Sequence, residues 1–267
     1  FRRPFGIGDA RLEVGASAGL ATMPLAEADA DRLLQDADIS LYRAKDRGRG
    51  CYVLFAEDMA NEVKLRHRIV TDLRDAIGTD QIHIEYQPIV NIRTNQVSAV
   101  EALVRWRHPL IGTLSPAQFI PVAEQCRMMI GLGNQLLDTI FRDAVHLPDV
   151  EVALNLSPVQ LRQGDLPAHL SALVQRHGVD PRRIVIEVTE TMLIDADDAV
   201  ARGFDALRQL GFKTALDDFG TGYSSMSYLH RFDFDKIKIN RSVVGGAGAA
   251  KLVPIIQAIV HIGRGFH

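Results

Sequence analysis

Charged or amide side chains interrupt a series of apolar runs in the second half of the chain. They are Glu101, Arg105, Asn155, Glu187, Asp217, Asp218 and Lys238. A lone polar side chain in a buried strand is costly unless it is hydrogen-bonded, ion-paired or bound to a cation. One such residue could equally be a structural hydrogen-bonding node. A polar residue in each of several successive runs instead indicates a shared functional site.

Oxygen ligands dominate this set, which contains four carboxylates and one amide but no cysteine or histidine. Such a set favours a hard cation, Mg²⁺ or Mn²⁺, over zinc. Adjacent carboxylates such as Asp217 and Asp218 can hold two metal ions, which activate a water and stabilise an in-line phosphoryl displacement. An Asp-Asp pair alone is more often a solvated turn. Here it follows an apolar run and precedes Gly220-Thr221-Gly222, where backbone amides can approach an anion.

From residue 80 onward, short β-rich runs alternate with helical patterns, which indicates βα units and a mainly parallel sheet. Strands are predicted at 82–90, 97–106, 150–156, 184–188, 214–217 and 236–239, and helices at 116–130, 132–146, 167–177, 197–210 and 251–263. Six such strands fit most of a (β/α)₈ barrel better than an open sheet, although spacing does not separate the two. The polar residues lie near the C-terminal ends of the strands, where barrel enzymes build their active sites.

The first part of the chain follows a different pattern. Residues 1–55 predict a strand at 12–20, an acidic helix at 26–45 and a short strand at 51–55. Residues 56–78 predict a connecting helix with an apolar residue at every fourth position, namely Leu65, Ile69, Leu73 and Ile77. A stripe this narrow usually packs on a neighbouring domain or helix.

The composition is that of a globular protein, because 47% of the 267 residues are hydrophobic and 24% are charged. A net charge of −3 argues against a DNA or RNA polymer as partner and against a polybasic membrane contact. Two cysteines, Cys51 and Cys126, are too few for a disulfide framework, which favours the reducing cytoplasm. The longest apolar stretch, 251–262, is too short to span a bilayer. Because the chain begins with Phe1, we expect a soluble piece of a longer protein, such as the cytoplasmic part of a membrane-anchored sensor.

Several short motifs follow one another along residues 60–267. They read YQPIV at 86–90, EALVRW at 101–106, FIPVAE at 119–124, NLSP at 155–158, EVTE at 187–190, DDFGTGYSS at 217–225 and DKIKI at 235–239. In these motifs the sequence resembles the EAL-domain family of cyclic-di-GMP-specific phosphodiesterases. The resemblance implies an α/β fold over 79–267, a TIM-like (β/α)₈ barrel whose first strand is antiparallel to its neighbour. The activity it implies is the hydrolysis of cyclic di-GMP to linear pGpG.

The resemblance also implies a two-metal centre. Glu101, Asn155, Glu187 and Asp217 would bind a first Mg²⁺ or Mn²⁺ ion. Asp217 and Asp218 would reach a second ion.

The resemblance also implies roles for residues that would contact the attacking water, the substrate or the loop after Asp217. Lys238 would hold the attacking water or offset the charge that builds on the phosphate. Glu190 would anchor the loop after Asp217 and so keep Asp218 in place. Gln87 and Arg105 would contact the dinucleotide, and an arginine there suits bidentate phosphate binding.

The sequence departs from the family pattern in two places. Asn240 stands where the family usually has an aspartate, two residues after the lysine. The family also continues with an Ala-Glu-Gly-Val-Glu segment, whose first glutamate serves the second metal or acts as a base. By spacing that segment falls just after His267, so we expect the barrel to be truncated at its C-terminus, without its last strands.

Residues 1–55 resemble the C-terminal half of a GGDEF, or diguanylate cyclase-like, domain of the α+β class. The segments SAGLA at 17–21 and ADISLYRAK at 37–45, followed by Gly48-Arg49, carry this resemblance. No Gly-Gly-Asp/Glu-Glu-Phe segment occurs in the chain, so no cyclase activity is expected from the residues present.

The leading hypothesis is therefore a metal-dependent cyclic-di-GMP phosphodiesterase. The alternative is a catalytically silent receptor that binds cyclic di-GMP and transmits the signal through the helix at 56–78, as Asn240 would allow. A purely structural dimerisation module is a distant third. In each case we expect a homodimer that forms through the EAL-like domain or the connecting helix.

Overall fold

The computed structural model describes residues 5–7, 10–12, 14–27, 29–147, 150–194, 197–220, 231–242 and 257. The chain divides into two compact units, Phe1–Asp72 and Leu73–His267. Within the described ranges, no helix is long and apolar enough to cross a membrane. Motif residues 221–225 and, apart from helical Gln257, the helix predicted at 251–263 lie outside the described residues.

The first unit is built from short strands and two helices. Strand β1 (Phe5–Ile7) pairs antiparallel with β2 (Ala10–Leu12), and β3 (Ala18–Leu20) pairs parallel with β4 (Tyr52–Leu54). Helix α1 (Ala30–Asp46) lies between β3 and β4, and α2 (Glu57–Ala76) follows and extends past the unit boundary.

Two predictions for the first unit are wrong in detail. The strand predicted at 12–20 is two strands, because β2 ends at Leu12 and β3 begins at Ala18. Gly15 lies in the gap, and glycine weakens a strand interior. The helix predicted from residue 26 begins at Ala30. Its N-cap is Asp29, whose carboxylate accepts hydrogen bonds from the backbone of Asp31 at 3.0 Å and Arg32 at 3.2 Å.

The second unit contains a twisted sheet with the strand order β11-β10-β9-β8-β6-β5. Its strands are β5 (Ile82–Asn91), β6 (Gln96–His108), β7 (Gly112–Leu114), β8 (Glu151–Asn155), β9 (Ile184–Thr189), β10 (Lys213–Phe219) and β11 (Lys236–Ile239). Strands β6, β8, β9, β10 and β11 are parallel, whereas β5 runs antiparallel to β6, as expected for the first strand. Strand β7, which the sequence did not predict, pairs with β6. The described strands do not close into a barrel, so the closed barrel stays a prediction.

Helices connect these strands. They are α3 (Pro116–Gln125), α4 (Met129–Ala144), α5 (Pro158–Leu161), α6 (Leu166–His177), α7 (Glu190–Ile194) and α8 (Asp198–Gln209). The single helix predicted at 116–130 is wrong. Arg127 has a left-handed backbone with φ 59°, which ends α3 and lets α4 begin two residues later.

The core lies between the sheet and the helices. Aliphatic side chains of β8, β9 and β10 pack with aromatic side chains of the helices, including Leu154, Ile186, Leu216, Phe141 and Phe204. Each of these three strand residues directly precedes a polar residue. Because side chains alternate between the two faces of a strand, the sheet presents its polar residues on the face opposite the helices.

Candidate active site

The candidate site lies on this second face of the sheet, near the C-terminal ends of the parallel strands. The strand register places Asn155 beside Glu187, and Thr189 beside Asp217. Beneath them, two residues earlier in each strand, Ala153, Val185 and Ala215 form a small buried cluster. In the strand register Ala153 lies beside Glu101, and Ala215 lies beside Glu187, so buried apolar side chains flank these two carboxylates.

Three carboxylates meet at this point. Glu101, Glu187 and Asp217 each offer an oxygen atom, and the three oxygen atoms lie within 4.8 Å of one another. The ammonium group of Lys238 donates to all three, at 3.0 Å to Glu101, 2.6 Å to Glu187 and 3.1 Å to Asp217. Four residues that are far apart in the sequence are therefore brought into one ion cluster, and Lys238 supplies its positive charge.

Burial and the neighbouring charges shift the pKa values of Glu187 and Lys238. Burial raises the pKa of Glu187 to about 7, and the charges of Glu101 and Asp217 add to this rise against the opposing contact with Lys238. Burial alone would lower the pKa of Lys238, but the hydrogen bond and the charge of Glu187 outweigh it and raise that pKa. Lys238 therefore stays protonated at neutral pH, whereas the carboxyl of Glu187 gains or loses its proton near neutral pH.

Asn155 and Asp218 lie at the rim of the cluster. The side-chain amide of Asn155 donates to Oε1 of Glu101 at 3.1 Å, which leaves its carbonyl oxygen as the atom that could bind a metal. Asp218 does not belong to the group of three carboxylates. Its backbone N–H donates to Oδ1 of Asp217 at 2.8 Å, and its own Oδ1 accepts from the amide of Asn240 at 2.6 Å.

Glu190 begins α7 and is only 3% exposed. Its Oε2 accepts from the backbone N–H of Gly220 at 3.2 Å, directly after the Asp217-Asp218-Phe219 segment. Its Oε1 is buried and has no hydrogen-bond partner within the described ranges. This contact ties the start of the loop after β10 to α7, which is the arrangement that a loop anchor requires.

Gln87 and Arg105 lie on the same face of the β5–β6 ribbon as Glu101. Gln87 is the cross-strand partner of Glu101, and Arg105 lies four residues beyond Glu101 toward the C-terminal end of β6. Gln87 is exposed, whereas the Arg105 side chain is three-quarters buried and ion-paired with Glu85 at 2.8 Å. Gln87 therefore lies directly beside the carboxylate cluster, and Arg105 lies on the same face farther along β6.

Sequence reasoning missed two features of this region. One is a cavity of about 870 Å³ lined by Leu103, Glu124, Asn155, Asp218 and helix residues of α3 and α4. Burial raises the pKa of Glu124 in its wall. The other is Glu85 as the partner of Arg105. Its position two residues before Gln87 in a strand, and thus on the same face, was the available signal.

Comparisons with known proteins show which proteins this chain is similar to in sequence and in fold. A protein-family model described as the EAL domain matches residues 70–267. The structure of the PaMucR phosphodiesterase in complex with c-di-GMP superposes with a TM-score of 0.70 at 34% identity, over 74% of this chain and 83% of that one.

Curated relatives extend the match to almost the whole chain. The bifunctional diguanylate cyclase/cyclic di-GMP phosphodiesterase MucR of Pseudomonas aeruginosa is 33% identical over 269 residues, 98% of this chain. The cyclic di-GMP phosphodiesterase PdeR of Escherichia coli is 35% identical over 247 residues, 91% of this chain. The chain covers 39% and 37% of these two relatives, respectively. The family match begins at residue 70, so a GGDEF-like identity for residues 1–55 stays a prediction.

Proposed function

Because the chain belongs to the EAL domain family, we propose that it hydrolyses cyclic di-GMP to linear pGpG in bacterial second-messenger signalling. The observation that carries this proposal is the cluster of Glu101, Glu187 and Asp217 around Lys238 at the C-terminal ends of parallel strands. Relatives named as cyclic di-GMP phosphodiesterases support the substrate.

Divalent metal ions, Mg²⁺ or Mn²⁺, are part of the proposal, and the residues present fit them. The clustered donor atoms are oxygens, and the cluster already surrounds one positive charge, the ammonium of Lys238. Glu101, Asn155, Glu187 and Asp217 would hold a first ion, and Asp217 with Asp218 a second. When bound, such ions lower the pKa of water and offset the charge of a phosphodiester.

The chain's own residues orient the reaction. Gln87 and Arg105 bind the dinucleotide so that one phosphodiester faces the carboxylate cluster, and the arginine suits a phosphate because its planar group donates two parallel hydrogen bonds. To act on the attacking water, or on a phosphate oxygen that gains charge, Lys238 exchanges one of its three carboxylate contacts for a hydrogen bond to that oxygen. Water attacks in line with the leaving 3′ oxygen, and Glu190 holds the segment that carries Asp218.

The receptor alternative is less well supported. It rests on Asn240, which brings a neutral amide to Asp218 in place of a carboxylate. A chain that only binds the dinucleotide has no need for three clustered carboxylates and a lysine. The named relatives also favour an enzyme.

The organisation of the chain remains part of the proposal. Residues 1–55 would be the C-terminal part of a GGDEF-like domain, 56–78 the connecting helix and 79–267 the EAL domain. We expect a cytoplasmic homodimer, with no cyclase activity from these residues. Sedimentation of the purified chain at several concentrations measures the oligomeric state, and a monomer throughout would contradict the dimer.

The activity is tested with the purified chain and with a form extended past His267 to include the segment that the family resemblance implies. Each is incubated with cyclic di-GMP and Mg²⁺, Mn²⁺ or a chelator, and pGpG is quantified by chromatography. We expect metal-dependent pGpG formation, its loss in Glu101→Ala and its retention in Glu57→Ala, an exposed glutamate of α2. Absence of pGpG from the folded, extended form, beside an active relative, would overturn the proposal.

A further inference from the structure

The site face of the β5–β6 ribbon carries a row of polar residues beyond Glu101. The antiparallel register pairs His83 with Arg105, Glu85 with Leu103, and Gln87 with Glu101. Paired residues share a face, and diagonal neighbours on that face remain within reach of long side chains. Glu85 is the diagonal neighbour of Arg105 and lies between it and Gln87. It therefore borders both positions proposed to contact the dinucleotide.

Glu85 holds Arg105 through one direct contact. Nε of Arg105 donates to Oε2 of Glu85 at 2.8 Å, and Nη1 donates to the backbone carbonyl of Val104 at 3.0 Å. A charge-assisted bond of this length restricts the orientation of the planar guanidinium. Among the residues that the structure describes, neither contact uses Nη2, which leaves the outer edge of the guanidinium for an anion.

The burial of the two partners differs. The Arg105 side chain is 25% exposed, whereas the Glu85 side chain is 54% exposed. Solvent and salt screen the charge of an exposed carboxylate, so Glu85 repels a nearby phosphate only weakly. Screening affects the hydrogen bond between Glu85 and Nε of Arg105 less, because that bond acts at contact distance. The orienting effect of Glu85 on Arg105 should therefore outweigh its repulsion of the substrate.

We propose that Glu85 is a positioning residue that orients Arg105 toward a phosphate of the cyclic dinucleotide before the substrate binds. This inference rests on the proposed function, because it requires that Arg105 binds a phosphate group of the substrate. Arginine has many rotamers, and holding one of them in the free protein removes part of the entropic cost of binding. Glu85 thus acts through Arg105 and not on the reacting atoms.

Calorimetric titration of cyclic di-GMP into the chain tests this role. Glu85→Ala should raise the Kd about 3- to 10-fold, which corresponds to the loss of a preformed orientation. Glu85→Gln keeps an acceptor oxygen for Nε and should stay within about 2-fold of the parent chain. In an Arg105→Ala background, Glu85→Ala should have no further effect. Asp233→Ala is the matched control, since it removes an exposed carboxylate–arginine pair, Asp233 with Arg208 at 2.7 Å, that lies outside the proposed site.

A second measurement does not depend on the ligand. The Nε–H of Arg105 should give a slowly exchanging nuclear magnetic resonance signal in the free chain, and this signal should be lost in Glu85→Ala. Absence of the signal from the parent chain would overturn the inference.

The binding outcomes separate the two proposals. Suppose that the parent chain binds cyclic di-GMP and that Arg105→Ala weakens this binding. If Glu85→Ala then leaves the binding unchanged, only the inference about Glu85 fails. Tighter binding by Glu85→Ala would mean that Glu85 competes with the phosphate, which also overturns it. If Glu85→Ala raised the Kd by the same factor in the Arg105→Ala background as in the parent chain, Glu85 would act through a group other than Arg105. If the parent chain does not bind cyclic di-GMP at all, the proposed function and this inference fail together.

Discussion

The side-chain amide of Asn240 donates a hydrogen bond to Oδ1 of Asp218 at 2.6 Å. The orientation of that amide is settled by its other end, because Oδ1 of Asn240 accepts from the backbone N–H of Ser242 at 2.7 Å. Asp218 itself has a left-handed backbone, with φ 57°, which is unusual for a residue with a side chain. A neutral donor therefore holds this carboxylate where the family resemblance implies a second carboxylate.

Replacing Asn240 by aspartate should make the site depend on cations. In Asn240→Asp, the atom that faces Asp218 becomes an oxygen, so a hydrogen bond is replaced by repulsion between two carboxylates. We expect a loss of about 1 to 3 kcal/mol in unfolding free energy in chelator, and recovery when Mg²⁺ or Mn²⁺ is added. Denaturant unfolding with and without the ion measures both effects.

Asn240→Ala is the control for this change. It removes the same hydrogen bond without adding a charge, so the divalent ion should not restore its stability selectively. Equal stability of Asn240→Asp and the parent chain in chelator would contradict the assigned contact.

Removing the ammonium of Lys238 should leave three carboxylates without their shared positive charge. We expect Lys238→Met to lose roughly 2 to 4 kcal/mol of unfolding free energy in chelator, since breaking a buried ion cluster leaves charge uncompensated. Divalent ions should then stabilise the variant more than they stabilise the parent chain. Thermal unfolding across a Mg²⁺ series measures the difference. Lys64→Met, at an exposed position of α2, should change neither quantity, and a similar response in both variants would refute the central role of Lys238.

Much of this site could be predicted from the strand pattern. Leu154-Asn155, Ile186-Glu187 and Leu216-Asp217 repeat one arrangement, in which a core residue is followed by a polar residue on the opposite face. Because side chains alternate between the two faces of a strand, this pattern can be recognised in the sequence. The parallel sheet was predicted from the alternation of β-rich and helical segments, and the antiparallel first strand from the family resemblance alone.

Other features depend on side-chain geometry that spacing does not encode. The contact of Lys238 with all three carboxylates depends on how far β11 reaches along β10 and on which rotamers the residues adopt. Helices α5 and α7 are only 4 and 5 residues long. Because they are too short to show a helical repeat, the sequence pattern did not predict them. The break before α4 depends on the left-handed backbone of Arg127, a residue that rarely adopts it.

A second ion cluster joins the N-terminal ends of three strands and should make stability depend on pH. Glu151 of β8 accepts from Lys213 of β10 at 2.6 Å and from Lys236 of β11. Burial alone would raise the pKa of Glu151, but the two lysines outweigh it and hold that pKa below its ordinary value of 4.5.

Since folding lowers this pKa, the ionised Glu151 stabilises the fold above pH 4.5, and the contribution disappears as the pH falls through the lowered value. Both lysines are about 40% exposed, so we expect Glu151→Gln to cost only about 1 kcal/mol at neutral pH. Urea unfolding at neutral pH and near pH 3 should show this deficit shrinking on acidification. Glu57→Gln is the exposed control, and a deficit for Glu151→Gln that stays constant would contradict the assignment.

Two glycines of α4 should respond in opposite directions to the same substitution. A Cβ atom at Gly133 would collide with the side-chain amide of Gln160 and lie 2.9 Å from its Cδ. Gln160 cannot withdraw easily, because it is 4% exposed and its Oε1 accepts from the backbone N–H of Ser157 at 3.1 Å. At Gly131, the nearest atom to a new Cβ is Cγ2 of Ile77 at 3.8 Å, an ordinary contact.

Gly133→Ala should therefore lose about 1 to 3 kcal/mol of unfolding free energy through overpacking. Gly131→Ala should gain about 0.5 to 1 kcal/mol, because alanine restricts the unfolded chain and favours the helix. Denaturant unfolding of the two variants under one buffer measures both signs against the parent chain. Helix propensity favours alanine at both positions of α4, so opposite signs for the two variants would come from packing at Gly133. Stabilisation by both substitutions would show that α4 can move away from Gln160, and the close approach at Gly133 would then not constrain the fold.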